Sequence, residues 1–106
     1  MARFDADTAL RAIAHPQRRQ MLRLVTDDEW TSSDLAQRCR LTRPATSQHL
    51  KVLKQADLVS VRAEGNRRLY RLNEGRLAEA LAMLDGFWGD RLERMRRELA
   101  KSRRRT

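Results

Sequence analysis

Apolar residues fall at intervals of three and four along most of this chain, and only one stretch breaks into alternation. Leu10, Ile13 and Ala14 share a helical face, which predicts a short first helix from about Asp7 to Ala14. His15-Pro16 ends it, because the proline ring disfavours helical geometry in the residue before it. Proline also suits the first turn of a helix. A second helix therefore runs from Pro16 to about Val25, with Met21, Leu22 and Val25 inward. Thr26 to Trp30 reads as a polar connection. Thr31-Ser32-Ser33-Asp34 has the form of a capping box, with Thr31 as cap. It opens a third helix, Ser32 to Arg40, that buries Leu35, Ala36 and Cys39. Leu41 is the inward residue of a turn, Thr42 the next cap, and Pro44 sits in the first turn of a fourth helix that ends near Ala56.

The alternating stretch follows. Leu58 to Arg62 and Arg67 to Leu72 read as two strands, and Gly65-Asn66 between them makes a β-hairpin. From Asn73 to Lys101 the helical period returns: Leu77, Leu81, Leu84, Trp88, Leu92, Met95 and Leu99 form one apolar stripe on an otherwise charged helix. Ser102 to Thr106 is a basic tail. The expected architecture is mainly α with a small β-hairpin: a single winged helix-turn-helix domain over residues 1–101, then the tail at 102–106.

Charge sharpens this picture. The 106 residues carry 23 Lys and Arg against 14 acids, a formal net charge of +9, and such a field attracts polyanions. The bias toward arginine favours bidentate contacts to phosphates and base edges. One cysteine excludes an intramolecular disulfide and suits a reducing compartment. The first residues lack an apolar signal core, and no stretch approaches the roughly 20 apolar residues of a membrane span, so a soluble cytoplasmic protein is expected.

The fourth helix concentrates the candidate chemistry. At 100° per residue, Thr46, His49, Leu50 and Leu53 fall on one side. Arg43, Pro44, Ser47, Gln48, Lys51, Lys54 and Gln55 fall on the other, without one acid. Arginine suits guanine, glutamine suits adenine, and serine suits either. The base-reading set is taken as Arg43, Thr46, Ser47 and Gln48, and the phosphate-contacting set as Thr42, Lys51, Lys54, Arg18 and Arg19. Arg62, Asn66, Arg67 and Arg68 make a basic wing. The stripe on the last helix exceeds what one small core needs, and such a patch usually marks an interface. A two-fold dimer is expected through the first and last helices, using Phe4, Leu10, Ile13, Leu77, Leu81, Leu84, Trp88, Leu92 and Met95. Its two recognition helices would meet successive major grooves about 34 Å apart on an imperfect palindrome of double-stranded DNA.

Three runs carry a family likeness: Asp34-Leu35-Ala36-Gln37, Leu41 through Leu53 with its Ser47-Gln48-His49-Leu50-Lys51 core, and Ala56-Asp57-Leu58-Val59. Together with His15 through Arg19 and Arg62 through Tyr70, they resemble the ArsR-type family of bacterial winged-helix repressors over roughly residues 8–75. The resemblance implies a homodimeric repressor released from its operator by a signal. Many members sense metals, and here the chain departs from them. The start of the third helix, Glu29 to Asp34, holds no cysteine. The terminal-helix positions that align with the family's other metal site hold Glu74, Arg76, Phe87 and Asp90, without a histidine. No metal and no cofactor are expected.

Cys39 reads as a small core residue, His49 as structural, and His15 as a cap for the second helix. The competing class is a winged-helix protein-interaction module, which should show an apolar or acidic outer face on the fourth helix. An enzyme is not expected, since the chain lacks a phosphate-binding glycine loop and a nucleophile motif.

Overall fold

Each helix of the computed structural model begins at a side chain that answers its free amides. The structure describes residues 5–104, excluding the side chains at 87, 88, 92, 103 and 104. Asp5 accepts from the amides of Asp7 and Thr8 at 3.0 and 3.3 Å and opens α1 (Ala6–Ile13). His15 Nδ1 accepts from the Gln17 amide at 3.1 Å and opens α2 (Pro16–Asp27). Thr31 accepts from Asp34 at 3.1 Å and opens α3 (Ser32–Cys39), while Thr42 accepts from Ala45 at 3.2 Å and opens α4 (Arg43–Gln55). A threonine cap of this kind is worth about 1 kcal/mol against alanine. The hairpin β1 (Val59–Glu64) and β2 (Arg67–Leu72) follows, and then α5 (Glu74–Arg104). The last helix thus runs past the expected end at Lys101, and residues 102–104 belong to it.

Two helix ends share an unusual device. Arg40 and Asp57 are non-glycine residues in the left-handed region, at φ 55° and 60°. After α3, Leu41 N donates to Ala36 O at 2.9 Å and Arg40 N to Gln37 O at 3.3 Å. After α4, Leu58 N donates to Leu53 O and Asp57 N to Lys54 O, both at 3.0 Å. This is the paired bonding of the Schellman motif, closed by an apolar residue just beyond the cap. Leu58 fills that role at full burial, and Leu41 packs against the core. The left-handed residue turns the chain sharply each time, first from α3 into α4 and then from α4 into the hairpin.

The core lies where α1–α4, the base of the hairpin and the start of α5 meet. Met21, Val25, Leu35, Leu53 and Leu58 are its largest fully buried apolar side chains. Cys39 is buried among them, which matches its reading as a core residue. The inner face of α1 differs from expectation. Ala9 and Ala12 are fully buried, whereas Leu10 and Ile13 are half-buried and Ala14 is exposed. Ala9, Ala12 and the fully buried Ala80 of α5 are small enough to let backbones approach closely, and α1 packs on α5.

The hairpin is antiparallel, with Val59 opposite Leu72 at its base and Glu64 opposite Arg67 at its tip. Gly65 takes φ +60° at the first central position of the turn, where a type II′ hairpin calls for glycine. The connection read as merely polar adds a third, one-residue strand: Trp30 pairs antiparallel with Tyr70. From there α5 extends 31 residues, about 46 Å at 1.5 Å per residue. None of the described helices is long and apolar enough to cross a membrane.

Candidate nucleic-acid interface

The recognition surface starts from how α4 is held. Leu50 and Leu53 anchor its inner side in the core. Thr46 does so at the first turn. It is 1% exposed, and its hydroxyl donates to the Thr42 carbonyl at 2.9 Å. Thr46 is therefore not a base reader: its side chain is spent on the helix start and faces away from solvent. The outer side carries Arg43, Ser47, Gln48, Lys51 and Lys54, all exposed. Thr42 is exposed too. Its hydroxyl oxygen accepts the Ala45 amide, which leaves the hydroxyl hydrogen for an external acceptor such as a phosphate.

Arg18 and Arg19 have partners within the fold. Arg18 Nε donates to Ala12 O at 2.7 Å and its NH2 group to Arg11 O at 3.3 Å. Arg19 NH1 donates to Ile13 O at 2.9 Å. Both guanidiniums bind carbonyls at the C-terminal end of α1, where cations complement the helix dipole; Arg11 O also accepts the Ala14 amide at 3.2 Å. They join α2 to α1.

The wing divides in two. Arg62 makes a bidentate pair with Glu29, at 2.6 and 2.9 Å, and a longer contact of 3.4 Å to Glu64. The Arg62 guanidinium beside Glu29 holds that carboxyl below its usual range. Arg62 thus fastens β1 to the α2–α3 connection and does not belong to the free basic tip. Asn66, Arg67 and Arg68 do form an exposed tip. With Thr31, Ser32 and Ser33 they line a cleft of about 350 Å³ between the start of α3 and the wing, which Asp34 also borders. Hydroxyl and guanidinium donors in one cleft suit a phosphodiester oxygen. Sequence reasoning missed Ser32 and Ser33, because Thr31-Ser32-Ser33 was accounted for as a helix cap alone.

Among the described residues, no three or more His, Cys, Asp and Glu side chains gather as a metal site would require. Leu81, Leu84 and Met95, named for a dimer interface, are exposed, and Leu77 packs partly on the core. Phe4 and the side chains of Trp88 and Leu92 lie outside the described residues.

Comparison with known proteins agrees with this geometry. A family model described as a helix-turn-helix domain matches residues 13–62. The HTH-type transcriptional regulator Rv2034 of Mycobacterium tuberculosis is 42% identical over 82 residues, which cover 77% of each chain. The transcriptional repressor SdpR of Bacillus subtilis is 31% identical over 76% of this chain and 90% of its own. A crystal structure titled as a possible transcriptional regulator for arsenical resistance superposes with TM-score 0.73 at 42% identity, covering 84% of this chain and 93% of that one. The chain belongs to the ArsR-type family of winged-helix transcriptional regulators. As a member it is a DNA-binding regulator and not an enzyme. Within the ArsR-type frame, α3 and α4 are the helix-turn-helix and β1–β2 the wing; the acid-free face of α4 and the Arg67–Arg68 tip lie on these elements.

Proposed function

We propose that this ArsR-type protein is a cytoplasmic, homodimeric repressor that reads an imperfectly palindromic operator without a metal at the family's usual sites. The carrying observation is α4 itself: its inner side is fixed by Thr46, Leu50 and Leu53, and every charge on its outer side is positive. Arg43, Ser47 and Gln48 read base edges. Thr42, Lys51, Lys54, Arg67 and Arg68 hold the backbone, joined by Ser32 and Ser33. The dimer forms through α1 and α5. Its support is the exposed apolar row of α5, with Leu81 48%, Met95 55% and Leu99 62% accessible, since such a row often marks an interface. The repressor assignment follows the named role of SdpR.

The test is a titration of a fluorescent duplex carrying the gene's own upstream region against a scrambled duplex, at several salt concentrations. Preference for the native duplex that survives physiological salt supports the reading. Equal binding that falls steeply with salt would leave only non-specific charge attraction and would favour a protein-interaction role.

A further inference from the structure

His15 and His49 lie with their ring centroids 4.5 Å apart and their planes tilted by 56°. They come from different elements. His15 is the N-cap of α2, and His49 lies on the half-buried flank of α4. The pair therefore bridges the helix-turn-helix and the α1–α2 corner, which Arg18 and Arg19 clamp onto the end of α1.

His15 Nδ1 accepts the Gln17 amide, which fixes this ring at the start of α2. His49 Nδ1 is buried and has no hydrogen-bond partner, as is Gln17 Oε1 in the same first turn of α2. The charged groups facing His49 are all positive when charged: His15 and, also on α2, Arg18. From α1 the corner receives the Arg11, Ala12 and Ile13 carbonyls, already taken by Arg18 and Arg19. From α4 itself there is no acid. Burial, followed by these two neighbours, holds His49 below the ordinary histidine value of 6.5. The neutral form thus carries the native packing. That contribution is complete above pH 6.5 and is lost as the pH falls below it.

We propose that His49, packed on the His15 ring, is a protonation-sensitive joint: neutral, it seats the recognition helix against the α1–α2 corner, and charged, it loosens that seat and weakens operator binding. The sign is distinctive. A histidine that merely adds positive charge to a DNA-binding protein strengthens its hold on phosphates as the pH falls. This joint does the opposite, because the His49 proton goes to a half-buried corner and not to the DNA face. The DNA side of the proposal rests on the operator reading given above.

The experiment measures binding of the upstream duplex and of a scrambled duplex between pH 7.5 and 5.5 at fixed ionic strength. It compares wild type, His49→Gln and His15→Asn, the last retaining a good helix cap. Thermal melting of the free protein is followed over the same range. Coupling between linked sites spans roughly 5–150-fold, and a wild-type loss of about five- to tenfold for the upstream duplex is expected at pH 5.5. The scrambled duplex should be held as well or better, and His49→Gln should flatten the specific loss. Melting of wild type should fall with pH more steeply than that of His49→Gln. Specific binding that strengthens on acidification, or a loss that persists in both variants, overturns the joint. Absence of any preference for the upstream duplex at pH 7.5 would instead overturn the operator reading. The melting comparison then still decides the joint, which falls if wild type and variants melt with the same pH dependence.

Discussion

Trp30 and Tyr70 exchange two backbone hydrogen bonds, 3.0 Å from Trp30 N to Tyr70 O and 2.8 Å in the reverse direction. One residue earlier, the Glu29 carboxylate grips Arg62 on the other strand of the wing. Two consecutive residues before α3 therefore hold both strands, so the wing and the helix-turn-helix share one rigid junction.

Replacing Glu29 with Gln removes the charge from this grip and leaves the Trp30–Tyr70 bridge alone. The amides of Trp30 and Tyr70 should then exchange with solvent faster, while the melting temperature hardly moves, since exposed ion pairs contribute little to global stability. Acid has the same effect only at low pH. The hydrogen bond from Arg62 lowers the Glu29 pKa from 4.5, so its contribution is present above that value and lost as the pH drops through the lowered one. Unchanged exchange in Glu29→Gln would show that the backbone bridge suffices.

Thr46 and Gln48 are two residues apart on α4 and should behave in opposite ways. Thr46→Val keeps the shape and loses the hydroxyl that donates to Thr42, which should cost about 1 kcal/mol of stability with operator preference intact. Gln48→Ala should leave the fold alone and cost about 1–3 kcal/mol at a single base position. Competition with operators mutated one pair at a time separates the two. If Thr46→Val altered base preference, the inward placement of that side chain would be at fault.

Arg18→Ala should destabilise the fold by about 1–2 kcal/mol, because it takes from the Ala12 carbonyl the guanidinium donor at the end of α1. The salt dependence of DNA binding by the folded protein should not change. Lys51→Ala should do the reverse, weakening all duplexes alike and lowering the log–log salt slope by about 1 with melting unaltered. A reduced slope in Arg18→Ala would return that residue to the phosphate contacts.

The contrast between Arg18 and Lys51 also marks what a sequence can tell. Periodicity and caps located all five helices and the hairpin, since Thr31, Thr42 and His15 act locally and their partners lie two or three residues away. The outer face of α4 was legible for the same reason: a helix fixes its own faces. The partners of Arg18, Arg19 and Arg62 were not legible, because they depend on which carbonyl or carboxylate lies within reach, and these come from other elements. Glu29 and Arg62 are 33 positions apart. Thr46 was ambiguous because its small polar side chain suits either a groove or its own helix. Trp30 was missed because a single bridging residue has no period to detect.

The exposed row on α5 leads to the last prediction. Leu81 and Leu84 stand one turn apart and are exposed, at the part of α5 nearest to Leu77 and the α1 contact. Water gains nothing from contact with such a row, and a second copy can bury it on both sides of a two-fold axis. Leu81→Lys with Leu84→Lys places two charges in that seam without touching the core around Ala80. Sedimentation equilibrium should show a dimer for wild type and a monomer for the variant, with helical content retained. Binding to the full palindrome should fall sharply, because each monomer then meets only one half-site and the gain from joining two sites is lost. Binding to an isolated half-site should stay within about twofold of the wild-type value under the same conditions, since additivity holds for sites far apart. A variant that stays dimeric would move the interface off this face of α5. A wild type that sediments as a monomer would remove the dimer altogether.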